Sequence, residues 1–406
     1  MNILVISQQY WPETWRITDT CEELVARGHT VTLICGLPND SRGHVLPEYH
    51  KKENLEQVHN GVHIFRIKDC GRYHGDLCLY LKYVSFVRGC RRLLRKLPGK
   101  FDVVFVNQLS PVLQAIPAIE YSKKHNLSVL MYCQDLWPES LSARGITNHG
   151  FTKPIYDHYL KVSRTIYQSM FRILVTSPLY VDYLVKTCLV RPDKIGLLMQ
   201  FAEPLFFKKS SVDLHGSRVH NFVFAGNVGK AQDVETLIKA SALLVKDKRI
   251  AIHIVGDGSD LTEVKRLVKK LCLDNVVFHG RVPLSEMPTV YAGADALVIT
   301  LSPVFFTSLV VPAKLTAYMA AGKPIIGACN GSTSELIKRS RCGECVASGD
   351  YRGLAALIQS FSNMSKEELL TYSNHGREYA KGNFDRRNYF DALEKELILV
   401  AKKINQ

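Results

Sequence analysis

The sequence predicts an α/β protein of two doubly wound parallel-sheet domains that face a central cleft. The chain has 406 residues, a length that suits two domains better than one. Short apolar runs alternate with longer amphipathic stretches, which is the pattern of strand–helix units on a parallel sheet. The alternation breaks near residue 190, so each half is expected to form a sheet and core of its own.

Twelve apolar runs are predicted strands, six on each side of this break. Those of the first half are Asn2–Ser7, Thr30–Cys35, His63–Ile67, Val103–Val106, Ser128–Cys133 and Arg172–Thr176. Those of the second half are Asn221–Ala225, Arg249–Val255, Asn275–His279, Ala296–Thr300, Pro324–Ala328 and Gly343–Val346.

The break between the halves is the irregular segment Val190–Val219, which becomes polar at Lys208–Ser211. We therefore predict an N-terminal domain over residues 1–195 and a C-terminal domain over residues 196–385. Residues 386–406 are predicted to form a helix that packs back on the N-terminal domain, because apolar residues recur in them at helical spacing.

Composition narrows the class of partner and the compartment. The formal net charge of +14 favours anionic partners, namely nucleotides, anionic lipid or nucleic acid, without choosing among them. No recognised nucleic-acid motif is present, so no nucleic acid is expected. The 11 cysteines form no Cys-x-x-Cys pair, which indicates a reducing compartment without a disulfide framework or a zinc site. With neither a signal peptide nor a membrane-spanning apolar stretch, we expect a cytoplasmic protein, or one attached to a membrane surface from that side.

Three elements of the second half have the chemistry of an anion site. Gly226–Asp233 joins a strand to a helix, and its Asn227 and Lys230 stand where backbone N–H groups and a helix N-terminus attract phosphate. Gly256, Asp257 and Gly258 form a second turn after a strand, and a plain strand–helix turn explains either element equally well.

A base ring is expected to lie against Arg281 and Val282, although Arg281 is equally compatible with a surface position. In the third element, a helix from about Lys314 to Ala321 places Lys314 at its phosphate-facing N-terminus. The alternative is a helix packed on the sheet through its small residues, which we prefer for Ala320 and Ala321.

Two features of the first half are candidates for function. Asp135 follows a predicted strand, so its carboxylate lies at the carboxyl end of the sheet and can accept a proton; a turn aspartate before Pro138 is the alternative. Leu77–Phe101 has an apolar stripe at helical spacing and no acid. Its predicted membrane contacts are Lys82, Arg88, Arg91, Arg92, Arg95 and Lys96. A solvated basic face on a core helix is the alternative.

The whole chain, from residue 1 to about 390, resembles the retaining family-4 glycosyltransferases of GT-B fold, which have two Rossmann-like domains. It is most similar to bacterial enzymes of O-antigen and capsule synthesis, including L-fucosamine transferases. Its marks are the three elements above, Asp295, and the motifs Tyr10–Glu13, Arg16-Ile17, Glu23-Leu24, Arg27–Val31, Gly36–Asn39 and Gln134–Ser140.

The resemblance implies a function for each domain. The C-terminal domain would grip a nucleoside-diphosphate sugar, expected to be a UDP sugar, with Lys230 as a catalytic contact to the diphosphate. The N-terminal domain would hold a polyprenyl-diphosphate-linked saccharide, with Asp135 as the catalytic carboxylate and acceptor contacts from Glu13, Arg16, Asn39, Asn107 and Gln134. Transfer would retain the anomeric configuration, at the inner face of the cell membrane. No metal or other cofactor is expected, since the chain has no Asp-x-Asp triplet and lysines with helix N-termini can balance the diphosphate.

Two departures from the family pattern bear on this function. Many relatives carry two glutamates, the second of which binds ribose, where this chain has Leu309 and Ala317. The contacts to ribose and sugar are therefore expected from Thr307 and Ser308, or from backbone groups. Many relatives also have a Gly-Gly turn after the first strand, where this chain has Glu13-Thr14-Trp15-Arg16. Arg16 is expected to take over the binding of an anion there; the alternative is that Trp15 simply packs. A nucleotide-sugar epimerase of similar architecture, or a regulator that binds the nucleotide sugar without catalysis, remains the alternative.

Overall fold

The computed structural model describes residues 1–40, 43–68, 76–97, 99–208 and 219–402, without the side chains at 76–78, 143 and 144. It divides into two compact units. Unit 1 comprises Met1–Thr176, Tyr180–Leu198 and Phe390–Gln406, and unit 2 comprises Ser177–Leu179 and Met199–Tyr389. Most of the polar part of the predicted linker, residues 209–218, lies outside the described residues.

The sheet of unit 1 has eight strands in the order β3-β4-β2-β1-β5-β6-β7-β8, all parallel to their neighbours except β3. The strands are β1 (Asn2–Ile6), β2 (Thr30–Cys35), β3 (Glu56–His59), β4 (Val62–Arg66), β5 (Val103–Gln108), β6 (Val129–Cys133), β7 (Arg172–Val175) and β8 (Ile195–Leu197). The helices are α1 (Arg16–Ala26), α2 (Asp76–Leu94), α3 (Ile116–His125), α4 (Lys153–Gln168), α5 (Pro178–Lys186) and, at the end of the chain, α14 (Arg386–Lys402).

The central strands of unit 1 are apolar and buried along nearly their whole length, as expected for a parallel sheet covered by helices on both faces. Only the β3–β4 edge is built differently. Asn60 and Gly61 join these two antiparallel strands with φ angles of +47° and +81°, the left-handed pair that a tight hairpin turn requires.

The sheet of unit 2 has six parallel strands in the order β11-β10-β9-β12-β13-β14. They are β9 (His220–Ala225), β10 (Ile250–Val255), β11 (Val276–Gly280), β12 (Ala296–Thr300), β13 (Ile325–Ala328) and β14 (Gly343–Val346). The helices are α6 (Val234–Leu244), α7 (Leu261–Lys270), α8 (Met287–Ala292), α9 (Phe305–Leu309), α10 (Ala313–Ala321), α11 (Gly331–Ser340), α12 (Tyr351–Ser362) and α13 (Lys366–Asn383). Two apolar cores fill its interior.

These sheets confirm the predicted fold class, and all twelve predicted strands are present within two residues at either end. The strands β3 and β8 were not predicted, and β8 lies inside the segment that the sequence predicts to be irregular. In each sheet the strand order reverses beside its first strand, between β1 and β5 and between β9 and β12. Ligands of such sheets bind outside the carboxyl ends of the strands at this reversal.

Candidate functional site

Three glycines form a backbone ledge at the carboxyl ends of β9, β10 and β11. The N–H of Gly226 donates to the carbonyl of Val255 at 2.9 Å, and that of Gly256 donates to Gly280 at 2.7 Å. All three glycines have positive φ, and a Cβ on Gly256 would overlap the backbone of Gly226. This glycine ledge (Gly226, Gly256 and Gly280) therefore presents backbone, with no side chains of its own, to a ligand.

Lys314, the second residue of α10, is directed at this ledge. Its Nζ lies 4.0 Å from the centroid of the Phe224 ring and would be 3.5 Å from a Cβ on Gly226. The Nζ is buried and has no hydrogen-bond partner, and burial lowers the pKa of Lys314 to about 7. Since an unpaired amine is costly to bury, an anion that supplied the missing partner would bind strongly here.

Lys230 has a different environment. Its side chain is exposed and lines a cavity of about 550 Å³ between the start of α6 and α7. The other charged residues of this cavity are Asp233, Glu235, Asp260, Glu263, Arg266 and Lys270. Lys230 is thus a solvated cation beside acids, whereas Lys314 is a buried amine that loses its charge as the pH rises above about 7. Asn227 and Asp257 are also exposed, and the Asp257 carboxylate accepts the N–H of Gly258 at 2.8 Å.

The predicted contacts to base and ribose are separated by the structure. Arg281 is exposed just beyond β11, while Val282 packs against an apolar core. Thr307 is buried, and its hydroxyl lies 2.6 Å from the carbonyl oxygens of both Ser302 and Val304. This corrects the prediction for Thr307, because such back-bonding inside a short helical turn uses its hydroxyl locally.

The two positions without glutamate and the other predicted hydroxyl lie in the same region. Leu309 and Ala317 are both buried. The Ser308 hydroxyl donates to the carbonyl of Phe305 at 2.6 Å but stays partly exposed. Of the two hydroxyls predicted to replace the glutamates, only that of Ser308 is therefore within reach of a ligand.

In unit 1, Asp135 lies in the loop after β6. Burial raises the pKa of its carboxyl to about 7, and the hydroxyls of Ser140 and Ser110 oppose this shift. A carboxyl with a pKa near the working pH is suited to accept or donate a proton. The loop is held in place by Glu139, which accepts hydrogen bonds from the hydroxyls of Tyr156 and, at 2.9 Å, Tyr183.

Asn107 and Gln134, both predicted acceptor contacts, lie together across adjacent strand ends. The Gln134 amide donates to the Asn107 side chain, whose own amide donates to the Ser7 hydroxyl at 3.1 Å. The Ser7 hydroxyl in turn donates to the carbonyl of Gln9 at 2.8 Å. This relay of polar groups follows the carboxyl ends of β6, β5 and β1, where a ligand of the sheet would lie.

Glu13 joins the loops that follow β1 and β2. Its carboxylate accepts the backbone N–H of Asn39 at 2.6 Å and the indole N–H of Trp15 at 2.5 Å. The Asn39 side chain donates to the carbonyl of Leu37 at 2.7 Å, and Arg16 is the first residue of α1. Glu13 therefore positions these loops, and its reach to an acceptor is limited by the bonds it already makes.

Arg66 at the end of β4 is a buried cation that the sequence analysis missed. It donates to the carbonyl of Trp11 at 3.0 Å and to the side chain of Gln57 at 2.7 Å, and its guanidinium lies 4.7 Å from the centroid of the Tyr49 ring. The single arginine that ends the apolar pattern of β4 was the available signal.

The basic helix α2 is only partly free to meet a membrane. Lys82 is buried, and Arg91 donates two hydrogen bonds, of 2.7 and 2.5 Å, to Glu120. The predictions for these two residues are thereby corrected, since neither offers a free charge. The remaining predicted contacts, Arg88, Arg92, Arg95 and Lys96, are exposed. Part of the apolar stripe of α2 faces the core, since Val87 and Leu94 are buried. The side chain of Leu77 and residue 98 lie outside the described residues.

No described helix has the length and apolar character needed to cross a bilayer. In the same part of the chain, no three His, Cys, Asp or Glu side chains converge as metal ligands.

Models of two glycosyltransferase domain families match the two halves of the chain. The family model described as "Glycosyl transferase 4-like domain" matches residues 14–198, and the one described as "Glycosyl transferases group 1" matches residues 219–363. Both halves of the chain are thus similar to glycosyltransferase domains, and its fold is GT-B.

Its curated relatives include bacterial glycosyltransferases. The probable glycosyltransferase WbjE of Pseudomonas aeruginosa is 27% identical over 269 residues, which are 64% of this chain and 65% of WbjE. The putative colanic acid biosynthesis glycosyltransferase WcaL of Escherichia coli is 24% identical over 147 residues, 35% of this chain and 36% of WcaL. The matches thus span less than two thirds of these relatives.

Solved structures share the fold over nearly the whole chain. Sucrose-phosphate synthase of Thermosynechococcus elongatus has a TM-score of 0.76 at 18% identity, covering 97% of each chain. HepE of Anabaena, solved with UDP, has a TM-score of 0.72 at 15% identity and covers 98% of this chain and 99% of its own. WaaG, a glycosyltransferase involved in lipopolysaccharide biosynthesis, has a TM-score of 0.68 at 15% identity, with coverage of 98% and 99%.

Proposed function

We propose that the protein is a retaining, metal-independent glycosyltransferase that moves a sugar from a UDP donor to a lipid-linked saccharide in surface polysaccharide synthesis. The observation that carries the proposal is the buried Nζ of Lys314, which has no hydrogen-bond partner among the described residues and is directed at the glycine ledge. A buried amine beside backbone N–H groups is suited to hold a diphosphate, whose charge would keep the amine protonated.

The donor half of the proposal assigns unit 2 to the nucleotide sugar. The diphosphate contacts are Lys314 and Lys230, and the proposed surrounding contacts are Gly226, Asn227, Gly256, Asp257, Gly258, Arg281, Val282 and Ser308. UDP is supported by HepE, which was solved with this nucleotide. An L-fucosamine-type sugar is the first donor to test.

The acceptor half assigns unit 1 to the saccharide that receives the sugar. Asp135 accepts the proton of the attacking hydroxyl, and its pKa of about 7 leaves a large ionised fraction at neutral pH. Asn107 and Gln134 orient the saccharide at the adjacent strand ends, with Glu13, Arg16 and Asn39 around them. As the bond to the donor breaks, Lys314 stabilises the charge that develops on the diphosphate.

The location follows from α2 and from the acceptor. Arg88, Arg92, Arg95 and Lys96 face solvent, and such a row is attracted to the anionic inner leaflet of a cell membrane. WbjE and WcaL support surface polysaccharide synthesis as the setting, since WcaL is described as a colanic acid biosynthesis glycosyltransferase.

The experiment is a thermal-shift screen of nucleotide sugars followed by a transfer assay with a polyprenyl-diphosphate sugar. The proposal expects stabilisation by a UDP sugar and a glycosylated lipid product with retained configuration. Leu309 and Ala317, the two apolar positions, favour a second candidate, a nucleotide-sugar-binding regulator. Binding without turnover of any acceptor would support that candidate, and conversion of the donor without acceptor would indicate an epimerase.

A further inference from the structure

Unit 1 exposes apolar side chains at the turn that leads into α4. Phe151 is fully exposed and follows Gly150, whose φ is +66°. Ile155 is 48% exposed on the first turn of α4. Phe151, Ile155 and Tyr159 are spaced by four residues, so they fall on one side of this segment.

The start of α2 extends this apolar surface. Tyr80 and Leu81 are 46% and 48% exposed. Both helices pack against the Trp137 ring, whose centroid lies 5.3 Å from that of Tyr159 on α4 and 6.3 Å from that of Tyr83 on α2.

The same side of α2 becomes basic towards its end. Arg88 and Arg92 follow Leu81 by 7 and 11 residues, so these three lie on one face of α2, and Arg95 stands in the turn that directly follows the helix; all four are exposed. An apolar end that continues into a row of cations matches the boundary of an anionic bilayer, where acyl chains lie beside charged headgroups. Scattered exposed apolar residues need no explanation, but a continuous group beside a basic row does.

We propose that Tyr80, Leu81, Phe151, Ile155 and Tyr159, the aromatic patch, insert into the headgroup–acyl boundary of an anionic bilayer while the basic face of α2 contacts the headgroups. The patch gives membrane binding a component that depends on apolar burial and resists salt, which the basic face alone cannot provide. The proposal rests on the lipid-linked acceptor of the proposed function.

Insertion at this place would serve the reaction directly. Trp137 supports the patch and stands two residues after Asp135 in the loop that follows β6. A bilayer contact through the patch therefore sets the distance between the proposed base and the membrane surface. The sugar of a lipid-linked acceptor stands at that surface, so docking would present it to Asp135.

The test compares charge insertions at two matched sites. Ile155 and Leu399 are both helical and apolar, 48% and 47% exposed, and lie in unit 1, with Leu399 on α14 beside the edge strand β8. The full chain, F151E/I155E and L399E are co-sedimented with vesicles of phosphatidylcholine alone and with added phosphatidylglycerol, at low and high salt. We expect F151E/I155E to lose at least about tenfold in partitioning at high salt, while L399E binds as the wild type does.

Three results would overturn the inference. They are equal binding by F151E/I155E and the wild type, an equal loss in L399E, and no salt-resistant binding by the wild type. A double variant that binds vesicles normally but no longer prefers long-chain acceptors would instead assign the patch to the acceptor's lipid tail. Thermal unfolding and turnover of a water-soluble acceptor show that the variant is folded.

These readouts also separate the inference from the proposed function. If no acceptor is glycosylated by the wild type but vesicle binding depends on Phe151 and Ile155, the inference stands and the proposed function fails. If transfer proceeds normally on lipid-linked acceptor in the double variant, the function stands and the inference fails.

Discussion

The Nζ of Lys314 lies 4.0 Å from the centroid of the Phe224 ring, and no hydrogen-bond acceptor accompanies it there. An aromatic face attracts a cation but gives it far less than water does, so the amine is held poorly solvated. Phe224, two positions before Gly226 at the end of β9, thus has a second effect beside its packing, since it keeps a lysine directed at the glycine ledge. In the proposed function, this pair makes the donor site selective for anions before any nucleotide is bound.

Donor binding is expected to draw a proton onto Lys314. The pKa of this amine is about 7 in the free protein, and a diphosphate beside it would raise that value. Below about pH 7 the amine is already charged, so affinity is flat; above it, affinity falls by up to about tenfold per pH unit, because each binding event must first protonate the amine. Calorimetry of UDP-sugar binding near pH 8, in buffers of different ionisation enthalpy, measures this uptake directly.

The variant Lys314→Met provides the control for this uptake. It keeps the volume of the side chain and removes the titrating group, so binding should weaken by about 10–100-fold and lose its alkaline decline. Uptake that persists in Lys314→Met would place the titrating group elsewhere.

Protonation of Asp135 is expected to cause the loss of activity at acidic pH. Its carboxyl has a pKa raised to about 7 by burial, and only the ionised form accepts a proton. The kcat/KM, which reports the ionisation of the free enzyme, should therefore fall by about tenfold per pH unit below about pH 7, and Asp135→Asn should reduce turnover by about 10²-fold or more while UDP-sugar binding survives.

Asp102 offers a control carboxylate outside the proposed site: it is exposed at the amino end of β5 and accepts the N–H of Asn2 at 2.7 Å. Asp102→Asn should leave the pH profile of kcat/KM unchanged. A profile of Asp135→Asn that kept the wild-type limb would remove Asp135 from proton transfer.

Lys230→Ala is expected to reduce turnover by orders of magnitude without unfolding the protein. Lys230 is exposed at the start of the segment into α6, so its loss removes charge and little packing. Lys239 on α6 is the control, since it is bonded to Glu235 at 2.7 Å and lies outside the proposed site. Steady-state kinetics of Lys230→Ala and Lys239→Ala test whether Lys230 contacts the diphosphate. Near-normal turnover in both variants would contradict that contact and leave Lys314 as the proposed diphosphate contact.

The strands show which part of the fold the sequence specifies locally. Strands such as β1 and β6 are buried on both faces, so their apolar runs predict them directly. The edge strand β3, Glu56–His59, is half-exposed and mostly polar, and only the Asn60-Gly61 turn indicated it. The three residues of β8 carry no pattern that distinguishes a strand from a loop.

The sequence predicted where the key residues of the candidate site lie, but not their protonation behaviour. Sequence placed Lys314 at a helix N-terminus and Asp135 after a strand, and both lie there. Both pKa values are shifted chiefly by burial among residues distant in sequence, and no local pattern reveals that burial. The prediction that Lys82 contacts a membrane was wrong for the same reason. Lys82 lies on the same face of α2 as Phe86 and Cys90, and all three are buried because that face packs on the core.

Activity is expected to persist without divalent metal. The charge of the diphosphate is balanced in the proposal by Lys314 and Lys230, so no ion is needed to stabilise the leaving group. The transfer rate in saturating EDTA should equal the rate in added magnesium. Complete loss in EDTA, with recovery on adding magnesium or manganese, would contradict this prediction and call for a metal-bridged donor.

Charge reversal on α2 is expected to weaken binding to anionic membranes in proportion to the charges that face solvent. Each of Arg88, Arg92 and Arg95 is exposed, and a cation near an anionic surface gains about 1 kcal/mol, so reversing all three to Glu should cost several kcal/mol of membrane affinity.

Two comparisons make this prediction specific. Replacing both members of the Arg91–Glu120 ion pair by Gln keeps the net charge, so it should leave binding near the wild-type value. Reversing three exposed lysines of unit 2, Lys246, Lys269 and Lys381, changes the net charge equally and should leave binding near the wild-type value. The attraction should also weaken with salt, because exposed charges are screened beyond about 10 Å at 0.1 M.

Co-sedimentation with vesicles with and without anionic lipid measures all of these variants. Equal binding by wild type and the Arg88, Arg92 and Arg95 variant, or no binding by either, would leave α2 as a solvated basic face.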